Sequence, residues 1–131
     1  MFKNILLLSS MLILLSSCAT MTPEKAASWD SQTLCDTLAI SRQYGDIKFN
    51  PNAQMIISEL EVRNDFTFKE MEAIKKGEIY IGMKLAPMYC SWGTPENTSL
   101  STGSWGTSTQ HIYSIGTYVY TENGKVTSWQ M

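Results

Sequence analysis

Residues 79–95 read Ile79-Tyr80-Ile81-Gly82-Met83-Lys84-Leu85-Ala86-Pro87-Met88-Tyr89-Cys90-Ser91-Trp92-Gly93-Thr94-Pro95. Their punctuation predicts a short extended lead-in, from Glu78 to Met83, and then an apolar helix from about Leu85 to Trp92. Pro87 falls in the first helical turn, where its missing N–H removes no intrahelical bond. Gly93 supplies the left-handed residue that closes a helix, and Pro95 prevents continuation. Gly82 permits a tight approach or a positive φ, and Met83 fills the gap under the helix. Gly82, Met83, Gly93 and Pro95 are therefore scaffold residues. What lies on either side of them decides the fold class.

Downstream, from Thr94 to Met131, only three of 38 residues are charged, while 14 are Ser or Thr and five are Trp or Tyr. That composition favours strands. Residues 97–105 read as one strand; His111, Tyr113 and Ile115 share a face of the next; Tyr118 and Tyr120 share a face of a third. Glu122-Asn123-Gly124-Lys125 is a hairpin turn, because Asn-Gly accepts the positive φ angles of a type I′ turn. In the final strand, strict alternation puts Val126 and Ser128 on one face and Thr127 and Trp129 on the other. Gly103 and Gly106 around Trp105 mark a bend, a bulge or a wide loop.

Upstream, from Glu24 to Lys84, 18 of 61 residues are charged and the periodicity is helical. A single turn after Thr22-Pro23-Glu24 interrupts a short tether over 18–28. A helix from about Asp30 to Tyr44 carries Leu34, Cys35, Leu38 and Ala39 on one stripe and ends at Gly45. Asn50-Pro51 starts another, with Met55, Ile56 and Leu60 on its apolar face, stopping near Asn64. Thr67 and Glu70 form a capping-box pattern for a third, through Ile74, ended by Lys75-Lys76-Gly77. The two lysines suit the negative end of that helix. The expected fold is α+β: N-terminal helices, residues 29–77, packed on a three- to four-stranded antiparallel meander in residues 78–131, as one globular domain.

The Ile81-Gly82-Met83 lead-in, the Trp92-Gly93-Thr94-Pro95 exit, the aromatic strands and the closing Asn-Gly hairpin resemble the SmpA/OmlA (BamE-like) family of small outer-membrane lipoproteins over about residues 79–130. The resemblance implies one helix set on an antiparallel sheet, similar also to the β-lactamase-inhibitor-protein repeat, and a role in envelope or β-barrel assembly. Two features depart from it. Lys84 stands where the family usually has a Ser or Thr cap, and residues 30–77 add helices that the short family members lack. No partner-binding residue is carried over.

The N-terminus is the second strong signal. Lys3 provides a positive n-region, and Ile5 to Leu15 an apolar stretch too short to span a bilayer as a permanent helix. Eleven of the first 17 residues are apolar, against 46 of the 114 that follow. Leu15-Ser16-Ser17-Cys18 resembles the bacterial lipobox. That resemblance implies cleavage after residue 17, a diacylglyceryl group on the Cys18 thiol and an N-acyl chain on its amine, with Ala19 favouring the periplasmic face of the outer membrane. Two or more acyl chains anchor stably, since each buried methylene contributes roughly 0.8 kcal/mol. A plain secretory signal is the alternative. With Cys18 lipidated, Cys35 and Cys90 remain in an oxidising compartment, either bridged or as two buried free thiols.

Catalytic, metal and cofactor chemistry are not expected. Without Lys3 the chain has nine Lys and Arg against twelve Asp and Glu, a balance that does not suit nucleic acid. His111 is the single histidine, and no His and Cys cluster offers metal-ligand spacing. Glu59 with Glu61, and Glu70 with Glu72, are two apart on helices and do not share a face. Gly103-Ser104-Trp105-Gly106 lacks the Lys and following helix of a phosphate loop. Ser91 lies inside a helix with no activating base in its motif. The only lipid expected is the covalent one on Cys18. Trp105, Tyr118, Tyr120 and Trp129 are the candidate partner surface, with core packing as the alternative for each ring. The expected function is that of a lipid-anchored periplasmic scaffold acting by protein contact; the alternative is an envelope enzyme inhibitor or immunity-type protein.

Overall fold

The computed structural model describes residues 20–131. The signal segment and Cys18 lie outside the described residues. Five helices precede a four-stranded sheet. Helix α1 (Pro23–Ser28) is capped by Thr22, and α2 (Ser31–Gln43) by Asp30, whose carboxylate accepts from Thr33 N–H at 2.9 Å. Helix α3 (Pro51–Arg63) starts at the Asn50 cap with Pro51 in the first helical position, and ends on Asn64 at φ 55°. Helix α4 (Phe68–Lys76) begins with both arms of the Thr67–Glu70 capping box and stops at Gly77, φ 69°. Helix α5 (Leu85–Trp92) has no side-chain cap at Lys84. The departure noted in the sequence thus leaves an uncapped helix start.

The buried residues fall into two clusters. In the first, Leu34, Cys35 and Leu38 of α2 meet Ala53, Ile56 and Leu60 of α3, with Met71 and Ile74 of α4 and Cys90 of α5. In the second, Met88 of α5, Met83 and Ile79 meet Val119 and Val126 of the sheet. Helix α5 contributes to both, and its near-continuous apolar sequence follows from that position between helices and sheet. Cys35 and Cys90 form a disulfide that fastens α2 to α5. Met83 is fully buried, as expected of a residue filling the gap beneath the helix.

The strands are β1 (Asn97–Gly103), β2 (Gly106–Ser114), β3 (Thr117–Glu122) and β4 (Lys125–Gln130), an antiparallel meander in chain order. The α+β fold with a C-terminal meander is therefore present. Gly103 pairs with Gly106, so the stretch left open in the sequence is a two-residue turn. Asn123 and Gly124 close the last hairpin at φ 48° and 77°, as the Asn-Gly pair requires.

Five local expectations need correction. Residues 78–83 do not run as an extended lead-in: Met83 N–H bonds back to Tyr80 C=O, and Gly82 turns at φ 87° in open space. Positive φ, and not a tight approach, is what Gly82 supplies. Gly93 has φ 89° with ψ 175°, so it ends α5 by swinging the chain out and not in the left-handed helical conformation. Ile115 sits in the β2–β3 turn, fully exposed, and does not share the His111 and Tyr113 face. In β4 the register slips between Tyr120 and Thr121, with Thr127 as the extra residue, so Trp129 pairs with Val119 and joins the face of Val126. Lastly, residues 20–28 are not a free tether. Met21 is buried with its N–H on Asn52 Oδ1 at 2.9 Å, Ala26 is fully buried, and Arg63 of α3 donates to the carbonyls of Ala26 and Trp29.

Candidate functional site

The two faces of the sheet have opposite character, and cross-strand register assigns each residue to one. Thr98, His111, Val119 and Trp129 form one row facing the helices; Leu100, Thr109, Thr121 and Val126 form the next. His111 is buried there, with Nδ1 3.0 Å from Tyr89 Oη and Nε2 2.9 Å from Thr121 Oγ1. Burial holds its pKa below the ordinary 6.5. Both ring nitrogens are occupied by hydroxyls and no carboxylate joins the chain of bonds, which is the arrangement of a satisfied core histidine. Tyr113 behaves likewise: its hydroxyl donates to Gly93 C=O at 3.0 Å, its ring stands edge-on to Trp92, and burial pushes its pKa up. Ser91 is buried with its hydroxyl unpartnered, so no group among the described residues is placed to activate it.

The outer face carries Ile112, Tyr118 and Gln130 in one row, Ser99, Gln110, Tyr120 and Ser128 in the next, and Ser101, Ser108, Glu122 and Lys125 in the third. Tyr120 Oη accepts from Gln110 Nε2 and donates to Gln130 Oε1, both at 3.3 Å, which ties its hydroxyl to both neighbouring strands. Trp105, 67% exposed, lies over Gly103: a Cβ there would fall 2.3 Å from its ring. Three of the four expected surface aromatics, Trp105, Tyr118 and Tyr120, thus share the outer face. Trp129 does not; the bulge at Thr127 turns it to the helix side of an edge strand, where it is 37% exposed. Nothing in Lys125-Val126-Thr127-Ser128-Trp129 signals that bulge.

The two sheet edges also differ, a feature the sequence reading missed. At β4, Gly82 N–H bonds Val126 C=O at 2.7 Å and Val126 N–H bonds Met83 C=O at 2.9 Å, and Lys84 bridges to Lys125. The 82–84 turn occupies the start of that edge, at Lys125 and Val126, and the bulge at Thr127 breaks the line of the rest. Strand β1 is exposed from Asn97 through Thr102, carries no charge and no proline, and has β2 as its partner on one side. Uncharged edges of this kind are open to further pairing. The signal available was the absence of Lys, Glu and Pro from Asn97-Thr98-Ser99-Leu100-Ser101-Thr102-Gly103.

Arg42 and Lys75 serve the scaffold. Arg42, its pKa lowered by burial to about 10, donates to the carbonyls of Ile74 and Cys90 and so closes the C-terminal halves of α4 and α5. Lys75 pairs with Glu61 and Glu72, which adds a bridge to the helix-end role read from sequence. A shallow cleft of about 310 Å³ between α2 and the end of α5 holds Asp36, Trp92, Glu96 and Tyr113; Asp36 is engaged by Thr94 Oγ1 at 2.9 Å. Among the described residues, no group of three or more His, Cys, Asp or Glu is placed to hold a metal, and no helix is long and apolar enough to cross a membrane. No protein-family model, no curated protein and no solved structure matches this chain.

Proposed function

We propose that this chain is a lipid-anchored accessory protein on the periplasmic face of a bacterial outer membrane, of the SmpA/OmlA kind, working by protein contact and not by catalysis. The observation that carries the reading is the Cys35–Cys90 bridge. It fits an oxidising compartment, and it accounts for two of the three cysteines, leaving Cys18 behind its apolar segment for lipid. The outer face of the sheet, with Trp105, Tyr118 and Tyr120 beside short polar side chains, supplies the contact surface: aromatic rings in a charge-poor field are what protein interfaces use as anchors.

Two measurements test it. Metabolic acyl labelling of the full chain should mark the protein and Cys18→Ser should abolish the label and release it from membranes; an unlabelled, soluble parent chain overturns the anchor. In cells, crosslinked complexes recovered through the full chain should contain β-barrel assembly components and should be lost with Trp105→Ala and Tyr120→Ala. Recovery of a hydrolase whose activity falls on binding would replace the scaffold reading with the inhibitor one, and complexes indifferent to both substitutions would remove the outer face as the contact surface.

A further inference from the structure

We infer that β1 is the self-association edge of this protein: two copies pair antiparallel through β1 about a twofold axis at Leu100, joining their sheets into one of eight strands. Thr98-Ser99-Leu100-Ser101-Thr102 reads the same in both directions. Antiparallel pairing centred on Leu100 therefore sets Thr98 against Thr102, Ser99 against Ser101 and Leu100 against its own copy, so every residue meets one of its own kind or size. Such self-complementarity is what an isologous twofold contact demands.

The backbone agrees. Gly103 and Gly106 close a two-residue hairpin, and the closing pair of such a hairpin is a hydrogen-bonded one. By alternation Ser101, Ser99 and Asn97 bond to β2, and the N–H and C=O of Thr98, Leu100 and Thr102 point to the open edge. Those three are the residues that the twofold brings opposite one another, so their amides and carbonyls satisfy each other without a change of register, once the Thr98 N–H exchanges Asn97 Oδ1, 2.8 Å away, for the carbonyl of the second copy.

The side chains agree as well. No residue of β1 is charged, so no like charges meet across the axis. Leu100 is 69% exposed on the face of Val126 and Thr121, beyond the cover of the helices; beside its copy it shields part of that apolar surface. On the other face the Trp105 ring over Gly103 comes next to Asn97 of the second copy. An isologous pair uses each β1 once, so pairing closes at two copies, and at β4 the 82–84 turn and the Thr127 bulge interrupt the edge that a further copy would need.

Cysteine crosslinking in the full chain, in whichever cell fraction carries it, tests the register directly. A hydrogen-bonded antiparallel pair has its Cα atoms about 5.5 Å apart, within disulfide range. Under mild oxidation Leu100→Cys should run mostly as a dimer on non-reducing gels. Thr98→Cys and Thr102→Cys should dimerise when co-expressed and not when either is present alone, and adding Leu100→Lys to both should abolish that crosslink. Val62→Cys, exposed on α3, is the control for chance collision. No dimer from Leu100→Cys, equal dimer from Val62→Cys, or a dimer from Thr98→Cys alone would each overturn the proposal; a crosslink to a different protein in place of a copy would do so too.

Discussion

Cys35 in α2 and Cys90 in α5, 55 positions apart in the chain, are bridged with their Cα atoms 4.4 Å apart. The bridge encloses α3 and α4 in one covalent loop. Constraining a loop of that length in the unfolded chain stabilises the fold by about 4 kcal/mol in the chain-entropy treatment. Reduction, or Cys35→Ala with Cys90→Ala, should lower the urea midpoint by the corresponding amount; a midpoint indifferent to reductant would show that the helices hold without it.

His111 should make stability depend on pH. Its folded pKa lies below the ordinary 6.5 because it is buried, so above pH 6.5 folded and unfolded forms are both neutral and its contribution is complete. Below 6.5 the unfolded state takes up a proton that the folded state resists, and stability falls as pH drops until the folded pKa is passed. Urea midpoints between pH 7 and pH 5 should decline in the parent chain and stay flatter in His111→Gln. Identical slopes would contradict the burial argument.

Arg42 holds two helix ends by main-chain carbonyls alone, so shape matters there more than charge. A hydrogen bond to a charged group contributes about 1.5–3 kcal/mol, and Arg42→Ala should lose at least one such increment. Arg42→Lys should not rescue it, because an ammonium lacks the fork that reaches Ile74 and Cys90 together. Full stability in the Lys variant would show that charge at the helix ends is sufficient.

Gly106 turns at φ 109° with a would-be Cβ 2.6 Å from Asn123 Oδ1, whereas Gly116 turns at φ 88° in open space. Alanine at either site is strained, at a cost of order 1–3 kcal/mol. Gly106→Ala should cost more, since it also displaces the Asn123 side chain from Thr107 N–H, 3.2 Å away. Thermal midpoints that fall equally would mean Asn123 moves aside freely.

What could be read from sequence was what is decided within a few residues. Asn50-Pro51, Thr67 with Glu70, and Asn123-Gly124 each satisfy their own backbone groups locally, so caps and turn fell where expected. Residues 78–83 failed because Ile79, Ile81 and Met83 alternate as a strand would, yet the Gly82 amide and the Met83 carbonyl are claimed by Val126 in β4 and the Met83 amide turns back to Tyr80. The bulge at Thr127 failed for a similar reason: the pairing of β4 with β3 is set jointly by the hairpin and by the 82–84 turn. Within the candidate surface, Tyr118 and Tyr120 follow from alternation alone, whereas Trp105 depends on Gly103 yielding room, and Trp129 on a register that no short motif records.

The docking of α1 onto α3 shortens the expected attachment. With Met21 seated on Asn52 and Arg63 gripping the carbonyls of Ala26 and Trp29, a lipid on Cys18 would be joined to the packed domain through the two residues Ala19 and Thr20, a leash of at most about 10 Å. Under the proposed anchor, such a domain would ride against its membrane instead of sweeping the space around it, and its partners would have to come to the lipid surface to be met.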